Sequence, residues 1–354
     1  MRLLILVTNA TAPNIKDLIE AGRHHRVDYL DLAEQFSTRY LDYNIVPEQP
    51  RWRWAEELLR MDFRLAQYAA RLVRQGYYDL VFSMSERVAI PLALMLDRRV
   101  RHVVQIAHPL SPVKLRTIRM LGAYRHWDVM IVPTQAEARA LRKILHLGPE
   151  RIRALRYPVD ASYYHPFENL PPDDEPEHAE SLGLSYRDYP TLIKAMHQLP
   201  HVTMYIRAGS SWVAHAAGYE REALPANIHI KPFVSPHELR ECYTRSRFSV
   251  IPLRATTQWS AGCTTITQAQ AMGRAVITTS NPGIGDYLLD GETGLIAGQG
   301  NPDSLARAID RLWQDRAKAE AMGVRARQWI EEQLTVDQWM IAIKKILETE
   351  EVRS

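Results

Sequence analysis

WSAGCTTITQAQAMG, Trp259–Gly273, decides the fold. It opens on small and turn-favouring residues and passes into a run where Ile266, Ala269 and Met272 recur at helical spacing. RFSVIPL (247–253) precedes it and AVITTS (275–280) follows, both short apolar runs of strand type. Strand, loop, helix and strand make a βαβ unit of a parallel sheet. Gly262, Cys263, Thr264 and Thr265 open the helix and can bring backbone N–H groups close to a ligand. A helix start carries unpaired N–H groups and the positive end of the dipole, which suits an anion.

The alternation extends in both directions. VTMYIRAG (202–209) and IHIKPFV (228–234) are strand-like, and helices are expected at 189–199, 236–245, 263–272 and 302–316. In the first half RLLILVT, YLDL (29–32), DLVFSM, HVVQIA and VMIVPT read as buried parallel strands, and 150–157 supplies a sixth. Trp54 to Arg74 reads as one amphipathic helix. HPFENLPPDDEPEHAE, His165–Glu180, is rich in proline and acids, has no period, and reads as a linker. Thr335–Glu350 carries Trp339, Ile341, Ile343 and Ile346 in a helical pattern. Three segments follow: a first domain over 1–165, a second domain over 166–335, and a helical tail, 336–354, expected to pack back on the first domain.

A chain of 354 residues suits two cores, and its 46% apolar and 24% charged composition is that of a globular protein. No apolar run reaches membrane-spanning length. MRLLILVTNATAPN reads as a first buried strand rather than a signal peptide. Cys242 and Cys263 are too few for a disulfide framework and lack metal-site spacing, so a cytoplasmic setting is expected. The net charge of +3 is uneven: residues 1–165 hold 25 basic and 17 acidic side chains, the remainder 19 and 24. The basic half suggests an anionic partner: a membrane surface, a phosphorylated acceptor or nucleic acid. Ordinary variation in surface charge explains it equally well. RWRW, Arg51–Trp54, pairs Trp with Arg as a membrane interface does, and Lys114, Arg116, Arg119 and Arg125 form a second basic cluster. A solvated helix face is the alternative. No aromatic-basic nucleic-acid motif is present, so nucleic acid is not expected as a partner.

SLGLSYRDYPTLIKAMHQL (181–199), PHELRECYTRSRFSVIPL (236–253), the opening motif, AMGRAVITTS, and GIGDYLLDGETGLIAGQGNPDSLARAI (283–309) occur in order. Together they resemble the nucleotide-sugar-binding domain of the retaining GT-B glycosyltransferases of the group 1, family 4 type. RYPVDASYYHP (156–166) looks like the segment where that family leaves its first domain. The resemblance is good over about residues 128–335 and covers the earlier residues in outline. It implies an α/β fold of two doubly wound, Rossmann-like domains facing a central cleft. It implies sugar transfer from a nucleoside-diphosphate sugar to an acceptor hydroxyl with retention of configuration.

The resemblance carries roles to particular residues. Arg187 falls where the family has a cation on the donor diphosphate, although a salt bridge to Asp188 would also account for it. Gly183, Gly209 and Gly262 would let backbone approach the donor, although an ordinary turn explains Gly183 and Gly209 equally well, and the helix start at Cys263, Thr264 and Thr265 would hold the diphosphate. Two glutamates of the family's signature are replaced by Ser260 and Gln268. Gln268 can still bond a diol through its amide. His108, past a strand end, falls where the family often has a histidine facing the sugar from the acceptor side, although a satisfied loop histidine would account for it equally well. Ser85 and Glu86 are acceptor-pocket candidates, and Asp286 lies near an acidic position of the family or caps a helix. The scheme needs no metal and no cofactor beyond the donor substrate. The acceptor is a glycan, lipid or small molecule, and attachment to the inner face of a membrane is consistent with the basic first half. A sugar-nucleotide epimerase on the same fold and a noncatalytic nucleotide-sugar binder or partner subunit are the other readings.

Overall fold

The computed structural model describes residues 1–168, 170, 174–209 and 223–349, with the side chains of Pro50 and Arg51 excepted. The chain divides into two compact units. One holds residues 1–20, 26–156 and the chain from Trp339 on; the other holds 21–25 and 157–338.

The first unit runs β1 (Leu3–Leu6), α1 (Ile15–Glu20), α2 (Asp28–Gln35), β2 (Arg39–Leu41), α3 (Pro50–Leu59), α4 (Phe63–Arg74), β3 (Leu80–Ser83), α5 (Glu86–Ala93), β4 (Arg101–Gln105), α6 (Pro112–Met120), β5 (Val129–Val132), α7 (Gln135–Leu145) and β6 (Ile152–Ala154). Its six strands lie parallel in the order β2-β1-β3-β4-β5-β6. The strand order reverses between β1 and β3, so ligands are expected beyond the carboxyl ends there. β1, β3 and β5 are buried along their whole length, as strands covered by helices on both faces must be.

The second unit runs β7 (Ala179–Leu182), α8 (Tyr189–Met196), β8 (Met204–Arg207), β9 (Ile228–Ile230), α9 (Pro236–Arg245), β10 (Ser249–Ile251), α10 (Cys263–Ala271), β11 (Val276–Thr279), β12 (Gly294–Ala297), α11 (Pro302–Gln314) and α12 (Arg316–Gln333). Its parallel order is β12-β11-β10-β7-β8-β9, and the reversal falls between β7 and β10. One face packs on α8 and α11 through Leu192, Met196, Leu305 and Ile309; the other packs on α10 and α12 through Ile266, Met272 and Ile330. α13 (Val336–Glu348) ends the described chain. Arg101 of β4 donates to the carbonyls of Leu347 and Ile346 at 2.6 and 2.8 Å, holding the last turn of α13.

Several sequence expectations are corrected. YLDL belongs to α2, not to a strand; Tyr29, Leu30 and Leu32 are its buried face, and β2 is the short RYL that follows. A four-residue apolar run cannot separate the two periods. The helix expected from Trp54 to Arg74 is two, broken where Arg60 turns left-handed at φ 52°. Asp62, buried at that corner, accepts from Tyr43 Oη at 2.6 Å and Arg87 at 2.8 Å. Ala179 and Glu180, read as linker, begin β7, because Glu180 is an acid buried within a sheet. Residues 169 and 171–173 of that stretch, and residues 350–354, lie outside the described residues. α12, 18 residues long, carries no clear period and was not anticipated.

Candidate functional site

The second unit gathers most of the anticipated residues at its switch point. Arg187 follows the carboxyl end of β7 and pairs its backbone in an antiparallel bridge with Leu253, just past β10. Its side chain is buried, 6% exposed. Nε donates to Leu182 O at 2.9 Å, Nη1 to Ser185 O at 3.0 Å, and Nη2 to Thr265 Oγ1 at 2.9 Å. All three partners are neutral, and no carboxylate pairs with Arg187 among the described residues. Burial accordingly holds its pKa below the ordinary value. Asp188 does not neutralise it. That carboxylate caps α8, accepting from Thr191 N at 3.3 Å and Thr191 Oγ1 at 2.7 Å.

Two glycines make room for this arginine. A Cβ on Gly183 (φ +96°) would stand 2.6 Å from Arg187 Nη2, and one on Gly262 (φ +77°) 2.9 Å from Leu253 and 3.4 Å from Arg187 Nη1. Both backbones lie in the left-handed region that side chains disfavour. Gly262 opens α10 with no side-chain cap. The N–H groups of Thr264 and Thr265, in the first turn, therefore have no intrahelical acceptor. Cys263 differs from them: its thiol is buried in the core and its N–H donates to Ser260 O at 3.2 Å. Thr264 is exposed, Thr265 half-buried and Ser260 buried. A buried cation thus sits behind an open helix start, an arrangement that stabilises an anion with a fork of N–H donors.

Gln268, one turn further along α10, donates from Nε2 to Tyr164 Oη at 3.0 Å. Its carbonyl oxygen has no hydrogen-bond partner among the described residues. Burial raises the pKa of Tyr164, so its phenol stays protonated. Nothing in the sequence singled out this tyrosine; the contact spans 104 positions of chain. Gly209 lies just past β8, where a Cβ would collide with the ring of Phe233 at 2.4 Å. Phe233 is itself half-exposed. Asp286 is the last residue of a single 3-10 turn, Ile284–Asp286, past β11, and the turn's N-cap is Gly283.

The remaining candidates belong to the first unit. Ser85 is the N-cap of α5 and accepts from Arg87 N at 3.2 Å. Glu86 is fully buried. Its Oε2 accepts from Ala107 N at 3.1 Å and its Oε1 pairs with Lys114 Nζ. Both carboxylate oxygens are engaged by protein and the side chain is closed off from solvent. Glu86 ties down both ends of the loop between β4 and α6 that carries His108. Burial pushes its pKa up, and Lys114, with a backbone N–H and His108, more than offsets this, so the carboxyl lies below its ordinary value. His108 is half-buried.

Among the described residues no His, Cys, Asp and Glu cluster is arranged to hold a metal, and no helix is long and apolar enough to cross a membrane.

Two six-stranded parallel sheets, the second with an uncapped helix start at its switch point, define the GT-B architecture. Residues 184–329 match the family model described as glycosyl transferases group 1, and residues 16–163 match glycosyltransferase family 4. The chain belongs to this glycosyltransferase family. It is 26% identical over 296 residues to the D-inositol 3-phosphate glycosyltransferase of Mycobacterium ulcerans, covering 73% of this chain and 62% of that protein. The chain thus spans about three fifths of that relative's length. Among solved structures it resembles Anabaena HepE in complex with UDP and glucose (16% identity, TM-score 0.69, covering 99% of this chain and 100% of that one). It also resembles sucrose-phosphate synthase from Thermosynechococcus elongatus (16% identity, TM-score 0.71, 97% of each chain). These two likenesses concern the fold.

Proposed function

We propose that the protein transfers a sugar from a nucleoside-diphosphate sugar to an acceptor hydroxyl with retention of anomeric configuration. The observation that carries this is Arg187, a buried guanidinium with neutral partners only, set against the uncapped start of α10. A buried ion without a counter-ion is costly, and an arriving diphosphate offsets that cost. The same groups would stabilise the negative charge that grows on the diphosphate as the sugar leaves.

In this scheme the bond from the anomeric carbon to the phosphate oxygen breaks and a bond to the acceptor oxygen forms on the same face. The acceptor proton passes to the departing phosphate. Arg187 and the N–H groups of Thr264 and Thr265 hold the phosphates. The free carbonyl oxygen of Gln268 accepts from a donor hydroxyl, doing with one oxygen what a carboxylate does with two. Ser260 takes the place of the other glutamate. His108, on the loop held by the Glu86–Lys114 tie, is the first unit's candidate for a role toward the acceptor, together with Ser85 and Glu86. Charge stabilisation from arginine and backbone N–H asks for no metal, so activity is expected to survive chelation.

The relative's name and the UDP-bound structural neighbour make UDP-sugars and inositol phosphates the first donor and acceptor pair to try. Calorimetry with UDP, GDP and ADP tests the donor site. One diphosphate should bind selectively, and Arg187→Lys should weaken it about 10- to 100-fold, the worth of a charge-assisted hydrogen-bond set. Equal binding by the variant removes Arg187 from the role. Donor binding with no sugar release under any acceptor favours the noncatalytic binder, the reading that Ser260 and Gln268 motivate.

A further inference from the structure

We propose that the outer faces of α3 and α6 form a docking surface for an anionic lipid bilayer. The proposal stands independently of the glycosyl-transfer reading. Both helices belong to the first unit, and the corner after α3 shares a core with α6: Met61 and Leu115 pack against one cluster around Ile118 and Trp127. Their outward sides carry the large apolar groups a soluble face ordinarily lacks. Trp54 and Leu58, one turn apart on α3, are 66% and 70% exposed; Val113 and Met120, two turns apart on α6, are 75% and 77% exposed. Large apolar side chains grouped on an exposed helix face mark an interaction site.

The charges between these groups identify the occupant. Arg116 lies between Val113 and Met120 on the same exposed stripe, with Arg119 and Arg125 exposed beside it. Residues 112–127 contain no Asp or Glu. Arg60, Arg116 and Arg119 have no ion-pair partner among the described residues, and on α3 Arg53 has only the exposed Glu57 at 3.4 Å. By contrast Arg64, on the inner side of the α3–α4 corner, is paired with both Glu48 and Glu56. The arginine packed inside the corner is neutralised, whereas those on the exposed side of α6 are not. On α6, unpaired cations interleaved with Val113 and Met120 suit the boundary between headgroups and acyl chains, and on α3 the apolar Trp54 and Leu58 precede the unpaired Arg60, with Glu56 and Glu57 between them. A nucleic acid would leave the apolar groups in water, and a second copy would oppose like charges.

Co-sedimentation of the full chain with phosphatidylcholine vesicles, with and without phosphatidylglycerol, tests the surface. The wild type should bind the anionic vesicles and release them as salt screens the attraction. Arg116→Glu with Arg119→Glu should lower the partition about tenfold or more. Val113→Ser with Met120→Ser should lower it several-fold and leave the salt dependence intact. Unchanged melting temperatures would show that both variants fold. Three results overturn the proposal: equal binding to both vesicle types, wild-type binding by the variants, or no vesicle binding alongside self-association or RNA binding that the same variants abolish.

Discussion

Beside the switch point of the first sheet, a buried carboxylate, Glu86, meets a lysine and a backbone N–H. At the switch point of the second, a buried guanidinium, Arg187, meets only two carbonyls and a hydroxyl. The two places are equivalent in doubly wound topology, yet one ion is compensated by the protein and the other is not. A compensated ion holds structure in place. An uncompensated one is a standing electrostatic debt that a ligand of opposite charge can discharge. Glu180, mid-strand in β7, completes the contrast. It is buried like Glu86, but neither oxygen accepts a hydrogen bond, although Arg207 Nε lies 3.1 Å away. Burial pushes its pKa up to about 8, whereas Lys114 holds Glu86 below its ordinary value. The same residue type, equally buried, shifts in opposite directions according to its partners.

Removing the compensation in the first unit should have the largest effect. Lys114→Met leaves Glu86 buried without its cation and should destabilise the fold by about 3 kcal/mol in urea titrations at neutral pH. The loss should shrink on acidification, once the stranded carboxyl protonates. A stability unchanged at neutral pH would mean that Glu86 needs no counter-ion.

The next test separates Glu180 from Glu86. A carboxyl whose folded pKa is raised contributes stability below its unfolded pKa and loses it as pH rises through the folded one. Wild-type stability should therefore decline between the ordinary glutamate range and about pH 8. Glu180→Gln should flatten that decline and gain about 2 kcal/mol over wild type in mildly alkaline solution. Parallel stability curves for the two proteins would contradict the assignment.

The smallest change in stability is expected from giving Arg187 the partner it lacks. Thr265→Asp places a carboxylate in the first turn of α10, where Arg187 Nη2 already reaches the threonine hydroxyl. The fold should gain about 1 kcal/mol from the helix dipole and the cation. Diphosphate binding, read by calorimetry, should fall at least about tenfold, because the site is now occupied from within. A variant that gains stability and still binds diphosphate would show that the anion goes elsewhere.

The motif Gly262–Thr265 was legible because its signal is local: a strand, a small-residue loop and a helical period within a few residues of one another. The errors share a different cause. YLDL was too short for its period to be distinguished, and the Arg60 corner depends on Asp62, whose partners Tyr43 and Arg87 come from other elements. Glu180 read as linker because acids are expected in water, and only its position in the sheet shows otherwise. The cation that pairs with the candidate Glu86 was equally hidden from the sequence, being 28 residues away. Arg187 and Asp188 are neighbours in sequence, but one points to α10 and the other caps α8.

By itself, the sequence determined the α/β class, the presence of two parallel sheets and the place of the helix start that suits a phosphate. Each follows from periodicity and from backbone chemistry that acts over a few residues. Tertiary structure alone decided which charges are compensated. Burial and counter-ions come from chain segments tens of residues apart, and a buried charge takes its meaning from those partners.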